Sequence, residues 1–214
     1  MSIVAPTITV ETPEQYKASV ERLQPFVQRV HIDISDGEFA PTFLLGEAQL
    51  YWPQNWQVDI HAMVARPSEH IQALIALKPS MIVFHAEIKE DRATLINTIK
   101  AAGIKAGVAL LRSTVPSSVD NIIRLADHVL IFSGELGKYG GTASLMQVEK
   151  IRLVKAINPN VEIGWDGGVS VENAYTLTQG GVDVLNTGGA IANAPDPKVA
   201  YDALVKEINK HGVI

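Results

Sequence analysis

Residues 3–34 read IVAPTITVETPEQYKASVERLQPFVQRVHIDI, and their pattern decides the fold. Two short β-rich apolar runs, Ile3 to Ile8 and Arg29 to Ile34, flank a longer segment of helical period. Thr12 and Pro13 mark the start of that segment, since Pro fits the first helical turn without losing a needed donor. Strand, helix and strand in succession mean two parallel strands joined by a helical crossover. Reading onward, further strands are expected at Gln57 to Ala62, Met81 to His85, Lys105 to Leu110, His128 to Phe132, Val161 to Trp165 and Val182 to Asn186, giving eight units with almost no spare linker. Arg66 and Pro67 mark another helix start, with Arg66 a poor cap, and Glu47 to Trp52 is short for a helix. Such alternation builds either an open doubly wound sheet or a closed barrel. An open sheet would normally carry a Gly-rich dinucleotide turn after its first strand, and TITVETP (residues 7–13) contains no Gly. The expectation is an α/β fold, a single (β/α)8 barrel domain over residues 1–214.

Composition narrows the partners. With 214 residues and 47% apolar content the chain can bury one sizeable core. A formal net charge of −5 with no run of Lys or Arg argues against nucleic acid and acidic membranes, which need a concentrated positive patch. The chain has no Cys, so any metal must sit on nitrogen and oxygen. No segment approaches the roughly 20 apolar residues of a membrane span, and MSIVAPTITVE lacks the pattern of a signal peptide. A small metabolite as partner and a cytoplasmic location are expected.

In a barrel of this kind the chemistry sits at the C-terminal ends of the strands. That filter selects His31, Asp33, His61, His85 and Asp166. His31 and Asp33 are two apart in RVHIDISDG, so both side chains point the same way along a strand. With His61 and Asp166 they give two imidazoles and two carboxylates, a donor set suited to zinc, iron(II), manganese or cobalt. Each alone could instead satisfy strand-end hydrogen bonds. If the substrate is a ketose phosphate, a divalent ion would stabilise the enediolate left when a proton leaves the carbon beside the carbonyl. Asp33 would take that proton from one face and Asp166 would deliver one to the other, which inverts the centre without a redox cofactor. Gly140 and Gly141, Gly167 and Gly168, and Gly188 and Gly189 follow the last three strands, where freed backbone N–H groups can close around a phosphate. Singly such pairs are ordinary tight turns. Trp52 and Trp56 read as packing, Asp36 with Gly37 as a turn, and His70, His128 and His211 receive no role. Asp59, two before His61, either orients it or faces the barrel interior for another reason.

The run HIDISDGEFAPTFLLG (31–46) resembles the strand-two signature of the ribulose-phosphate 3-epimerases. DIHAMVARP (59–67), VFHAEI (83–88), GVALLRST (107–114), WDGGVSVENA (165–174) and NTGGAI (186–191) resemble later segments of that family, in order. The resemblance implies a ribulose-phosphate-binding type of barrel with His31, Asp33, His61 and Asp166 as metal ligands, and Asp33 with Asp166 as the acid-base pair. Thr7 falls where the family has a substrate-contacting Ser, and the glycine pairs fall where it binds phosphate, with Gly189 in place of a Ser. Ser35 and Phe132 stand where Met is typical, Met63 is retained, and SGELGKYGGT (133–142) is one residue longer than the usual loop and lacks its Pro. These changes leave the proton-transfer groups whole and alter their lining. The implied reaction is 3-epimerisation of D-ribulose 5-phosphate to D-xylulose 5-phosphate by a homo-oligomer. Alternatives are another ketose phosphate such as allulose 6-phosphate, or a barrel that binds a sugar phosphate without turnover. Related decarboxylases and aldolases carry a D-x-K-x-x-D strand end, and HIDISDG has no Lys.

Overall fold

The computed structural model describes residues 2–210. Eight parallel strands close on themselves in sequence order: β1 (Ile3–Ile8), β2 (Arg29–Ser35), β3 (Gln57–Met63), β4 (Met81–His85), β5 (Lys105–Leu110), β6 (His128–Phe132), β7 (Glu162–Asp166) and β8 (Val184–Thr187). Around them lie α1 (Pro13–Leu23), α2 (Pro67–Ala76), α3 (Arg92–Ala101), α4 (Asp120–Leu125), α5 (Glu149–Ile157), α6 (Val171–Gln179), α7 (Gly189–Ala192) and α8 (Pro197–Ile208). The strands are buried on both faces, as a parallel sheet under helices requires. A small cluster of Met81, Val83, Ala109 and Leu130 fills the barrel interior, separate from the larger core between strands and helices. Among the described residues no helix is long and apolar enough to cross a membrane.

The (β/α)8 expectation holds, with local corrections. Helix α1 starts on Thr12, whose hydroxyl accepts the Gln15 N–H while the Gln15 side chain accepts the Thr12 N–H. At α2 Arg66 makes no cap, and the Glu90 carboxylate accepts the Ser68 N–H instead. The unit after β2 has only a single 3-10 turn, Glu47–Gln49, where a short helix was expected. Pro53 disfavours a helical Trp52 just before it, and Leu50 is already extended and buried. Strand β7 begins at Glu162 and not at Val161, because the Val161 N–H turns back to the Asn158 carbonyl. Strand β8 begins at Val184 and not at Val182, since Val182 N–H closes the end of α6 on Leu177. Strands β2 and β3 each run one residue further than expected, to Ser35 and Met63, which pair with each other. His211, given no role by the sequence, lies outside the described residues.

Register sets the heights of the side chains. Thr7 lies beside His31, Asp33 beside His61, and Asp166 beside Asn186. The opposite end of the barrel is closed by Arg29, whose Nε donates to Asp59 at 2.6 Å and whose Nη1 and Nη2 donate to the Glu162 carboxylate at 2.9 and 2.7 Å. His128 Nδ1 meets the same carboxylate at 2.8 Å. Burial alone would raise the Glu162 pKa, and the hydrogen bonds from Arg29 and His128 overcome it and hold the carboxyl well below its ordinary range. Arg29→Met leaves Asp59, 2% exposed, as a buried carboxylate without its cation. The expected loss is about 3–5 kcal/mol in urea unfolding, and a loss under about 1 kcal/mol would show the pair to be dispensable.

Candidate active site

Strand alternation brings inward-facing residues of β2, β3, β4 and β7 to one end of the barrel. His31 Nε2 lies 3.3 Å from Asp33 Oδ1 and 3.8 Å from Asp166 Oδ2. His61 Nδ1 lies 3.0 Å from Asp33 Oδ1 and 3.8 Å from Asp166 Oδ2. The four ligand atoms all fall within 4.8 Å of one another, and every one of these residues is buried. Among the described residues His31 Nε2 has no hydrogen-bond partner despite its burial. An unpaired buried nitrogen is costly unless something else binds it, and two nitrogens with two carboxylate oxygens converging on one point suit a divalent ion. The residues present therefore fit a metal.

The two carboxylates are driven apart in acidity. Asp33 is desolvated, yet the close approach and charge of His31 and His61 hold it well below the ordinary range. Its second oxygen accepts the Thr9 hydroxyl at 2.6 Å. Asp166 is pushed up to about 6 by burial and then by the Asp33 charge, against the pull of His31, His61 and the Gly167 N–H. Burial disfavours a charged His31, and Asp33, Asp166 and Asp59 outweigh it and raise its pKa. A metal must displace the protons these groups hold. Below pH about 6 Asp166 is increasingly protonated in the metal-free protein, so metal affinity falls as pH falls. The expected weakening is at least about tenfold per pH unit between pH 6 and 5, measured by chelator competition, with proton release on binding. A flat affinity across that range would contradict the assignment.

Beside this cluster is a cavity of about 270 Å³, lined in part by Thr7, Asp33 and Asp166 and by all three glycine pairs. Gly140, Gly141, Gly167 and Gly168 have positive φ, and a Cβ on Gly167 would come within 2.0 Å of the Gly134 nitrogen. The loop after β6 thus lies directly on the loop after β7. Phe132 walls the site, with its ring 5.8 Å from that of His61 and 5.7 Å from that of His85. Met63 also lines the cavity, and Ser35 is buried near it.

Other residues fall where the sequence left them without a role or with two. Asp59 pairs with Arg29 at the far end and does not orient His61. His70 bonds Glu47 at 3.2 Å, and His128 belongs to the far-end cluster. Asp36 caps its own turn, accepting the Glu38 and Phe39 N–H groups, and reaches across to the Ala65 N–H. Trp52 and Trp56 pack on the core.

Four residues went unread. Thr9 is two positions beyond Thr7 and on the same face, a period-two signal that was available. Glu87, two beyond His85, had the same spacing but lies past the strand end. Asn186 was placed as the end of a strand and not as a cavity residue. Tyr139 had no signal, because loop position does not follow from spacing. Its hydroxyl accepts the Thr9 N–H at 2.8 Å and donates to the Thr7 carbonyl at 3.3 Å. Its ring lies where a Cβ on Gly188 would stand, 2.6 Å from Cδ1, so this glycine makes room for it.

Residues 3–192 match the model of the Ribulose-phosphate 3 epimerase family. The chain is 32% identical over 183 residues to the ribulose-phosphate 3-epimerase of Helicobacter pylori (strain J99 / ATCC 700824), covering 82% of this chain and 84% of that one. It is 29% identical over 190 residues to the ribulose-phosphate 3-epimerase of Escherichia coli (strain K12), covering 85% and 84%. Among solved structures, a 3-hexulose-6-phosphate synthase from Salmonella typhimurium aligns with a TM-score of 0.70 at 15% identity, over 98% of this chain and 100% of that one. That last likeness speaks for the fold alone.

Proposed function

The chain belongs to the ribulose-phosphate 3 epimerase family, whose named members are isomerases acting on carbohydrates, and we propose that the ketose phosphate it epimerises at carbon 3 is D-ribulose 5-phosphate, giving D-xylulose 5-phosphate. The observation that carries this reading is the pair of buried carboxylates beside one cavity, Asp33 held ionised and Asp166 raised to about 6. A matched base and acid need pKa values pushed to opposite sides of each other, and environment alone does so here. Asp33 takes the carbon-3 proton from one face of the substrate, its carboxylate aimed by Thr9 and the two histidines. Asp166 delivers a proton to the opposite face. Run backward, the two exchange roles.

His31, Asp33, His61 and Asp166 would hold zinc, iron(II), manganese or cobalt. When bound, such an ion would offset the negative charge that develops on the substrate oxygens as the proton leaves. The glycine pairs Gly140 with Gly141, Gly167 with Gly168 and Gly188 with Gly189 offer backbone N–H groups to the phosphate, and Thr7 offers its buried hydroxyl, which has no hydrogen-bond partner among the described residues. The loop carrying Tyr139 closes over the substrate and excludes water. The reading treats the barrel and its helices as one catalytic domain, acting in the cytoplasm as a homo-oligomer on a small metabolite.

The test is incubation with D-ribulose 5-phosphate in deuterium oxide after loading with each of the four ions, with carbon 3 followed by NMR. Deuterium at carbon 3 together with xylulose 5-phosphate supports the assignment. Turnover of allulose 6-phosphate alone would move it to a six-carbon substrate, and exchange with neither would leave a sugar-phosphate binder.

A further inference from the structure

His85 is buried and converges on the site, and the proton transfer above does not use it. Its Nε2 lies 2.9 Å from His61 Nε2, and its Nδ1 lies 3.3 Å from Glu87 Oε2. Glu87 Oε1 accepts the Leu111 N–H at 3.0 Å and the Thr114 hydroxyl. A carboxylate only accepts, and each neutral imidazole has one donor and one acceptor, so once a cation takes the place of the Asp33 contact on His61 Nδ1 the row has a single consistent proton order. Starting from Glu87, the His85 proton must be on Nδ1. His85 Nε2 is then a bare acceptor, so His61 must carry its proton on Nε2. His61 Nδ1, the atom facing Asp33 and Asp166, then offers its lone pair to the cation.

We propose that Glu87, through His85, is a positioning residue that fixes the His61 tautomer in the form able to bind a divalent cation through Nδ1. The inference rests on the metal-dependent reading of the site and deepens it, by assigning His85 and Glu87 to cation affinity and not to proton transfer. Without Glu87 nothing at the His85 end favours the Nε2–H form of His61, and the 3.0 Å contact of its Nδ1 with Asp33 Oδ1 can persist as a hydrogen bond that competes with a metal. The fold supports the device at both ends. The Phe39 ring packs against the His85 ring with centroids 4.6 Å apart, and the Leu111 and Thr114 donors keep Glu87 from turning away.

Glu87→Gln tests it with little change of shape. If the Gln carbonyl keeps the Leu111 and Thr114 donors, its amide donates toward His85 Nδ1. His85 must then shift its proton to Nε2, and His61 must become the Nδ1–H form. The measurements are zinc affinity by competition with a fluorescent chelator, and the tautomers of both histidines by ¹⁵N NMR of histidine-labelled full-length protein with and without zinc. The expected result is zinc binding weakened about 10- to 100-fold in the variant, the range typical for losing a group that orients a ligand. The wild-type zinc form should show His85 protonated at Nδ1 and His61 at Nε2. The NMR result needs no variant, so a misfolded Glu87→Gln leaves the proposal testable. A zinc-loaded wild type with His85 protonated at Nε2, wild-type affinity in a folded variant, or no zinc binding by the wild type would each overturn it. None of these readouts uses a sugar phosphate, so failure to epimerise ribulose 5-phosphate would strike the substrate assignment and leave this one standing.

Discussion

Asp166→Asn is expected to lower kcat for epimerisation by about 10²–10⁴-fold, the usual contribution of one positioned acid-base group, with KM changed little. The amide has nearly the shape of the carboxyl and keeps an oxygen for the Gly167 N–H, one of the groups that holds Asp166 in place. It cannot carry the proton that the second face requires. The phosphate grip, built from backbone at the glycine pairs, should survive, so the loss should fall on turnover and not on binding. One partial reaction should remain. Asp33 can still remove the proton from the epimer that presents it and exchange it with solvent. In deuterium oxide the variant should therefore label one of the two epimers at carbon 3 without forming the other. Epimerisation near the wild-type rate, at equal metal content, would sink the two-acid mechanism. Equal loss of labelling and product, with metal lost as well, would show that Asp166 acts only as a ligand.

How much of this was legible before the fold was known follows from which forces act locally. Short apolar β-rich runs alternating with segments of helical period made the eight units readable, because burial on both faces makes nearly every strand position apolar. His31 and Asp33 were readable as a pair for the same reason: a strand projects alternate side chains to one side. Boundaries were less so. Val161 and Val182 look like strand residues by type, yet backbone hydrogen bonds to Asn158 and Leu177 draw them into the preceding turns. Asp59 shows a further limit. Its face was right, but the depth of a residue in the barrel depends on register, and register places it against Arg29. Tyr139 and the Glu87 chain were out of reach because their meaning comes from contacts 130 and 24 residues away in sequence, to Thr9 and Leu111.

Asp33→Asn is expected to remove metal binding and activity together. Asp33 is the hub of the site: one oxygen faces both His31 Nε2 and His61 Nδ1, and the other accepts from Thr9. An Asn must point its amide N–H₂ at one of these sets. Toward Thr9 it meets a hydroxyl that can turn and accept; toward the histidines it places donors where a cation would sit. Either way a full negative charge is gone from a buried donor set, so zinc affinity should fall by more than the roughly 10- to 100-fold that losing an orienting partner costs. The kcat/KM should fall by at least about 10⁴-fold, since the base is lost along with the charge that holds the ion. Removing the Asp33 charge also removes one of the causes that raise Asp166, so Asp166 should titrate below about 6 in the variant, visible by ¹³C NMR of the carboxyl. The separate readouts divide the roles. Activity restored by excess metal would make Asp33 a ligand and not the base. Full metal content without activity would make it the base alone, and wild-type metal content with wild-type activity would refute both.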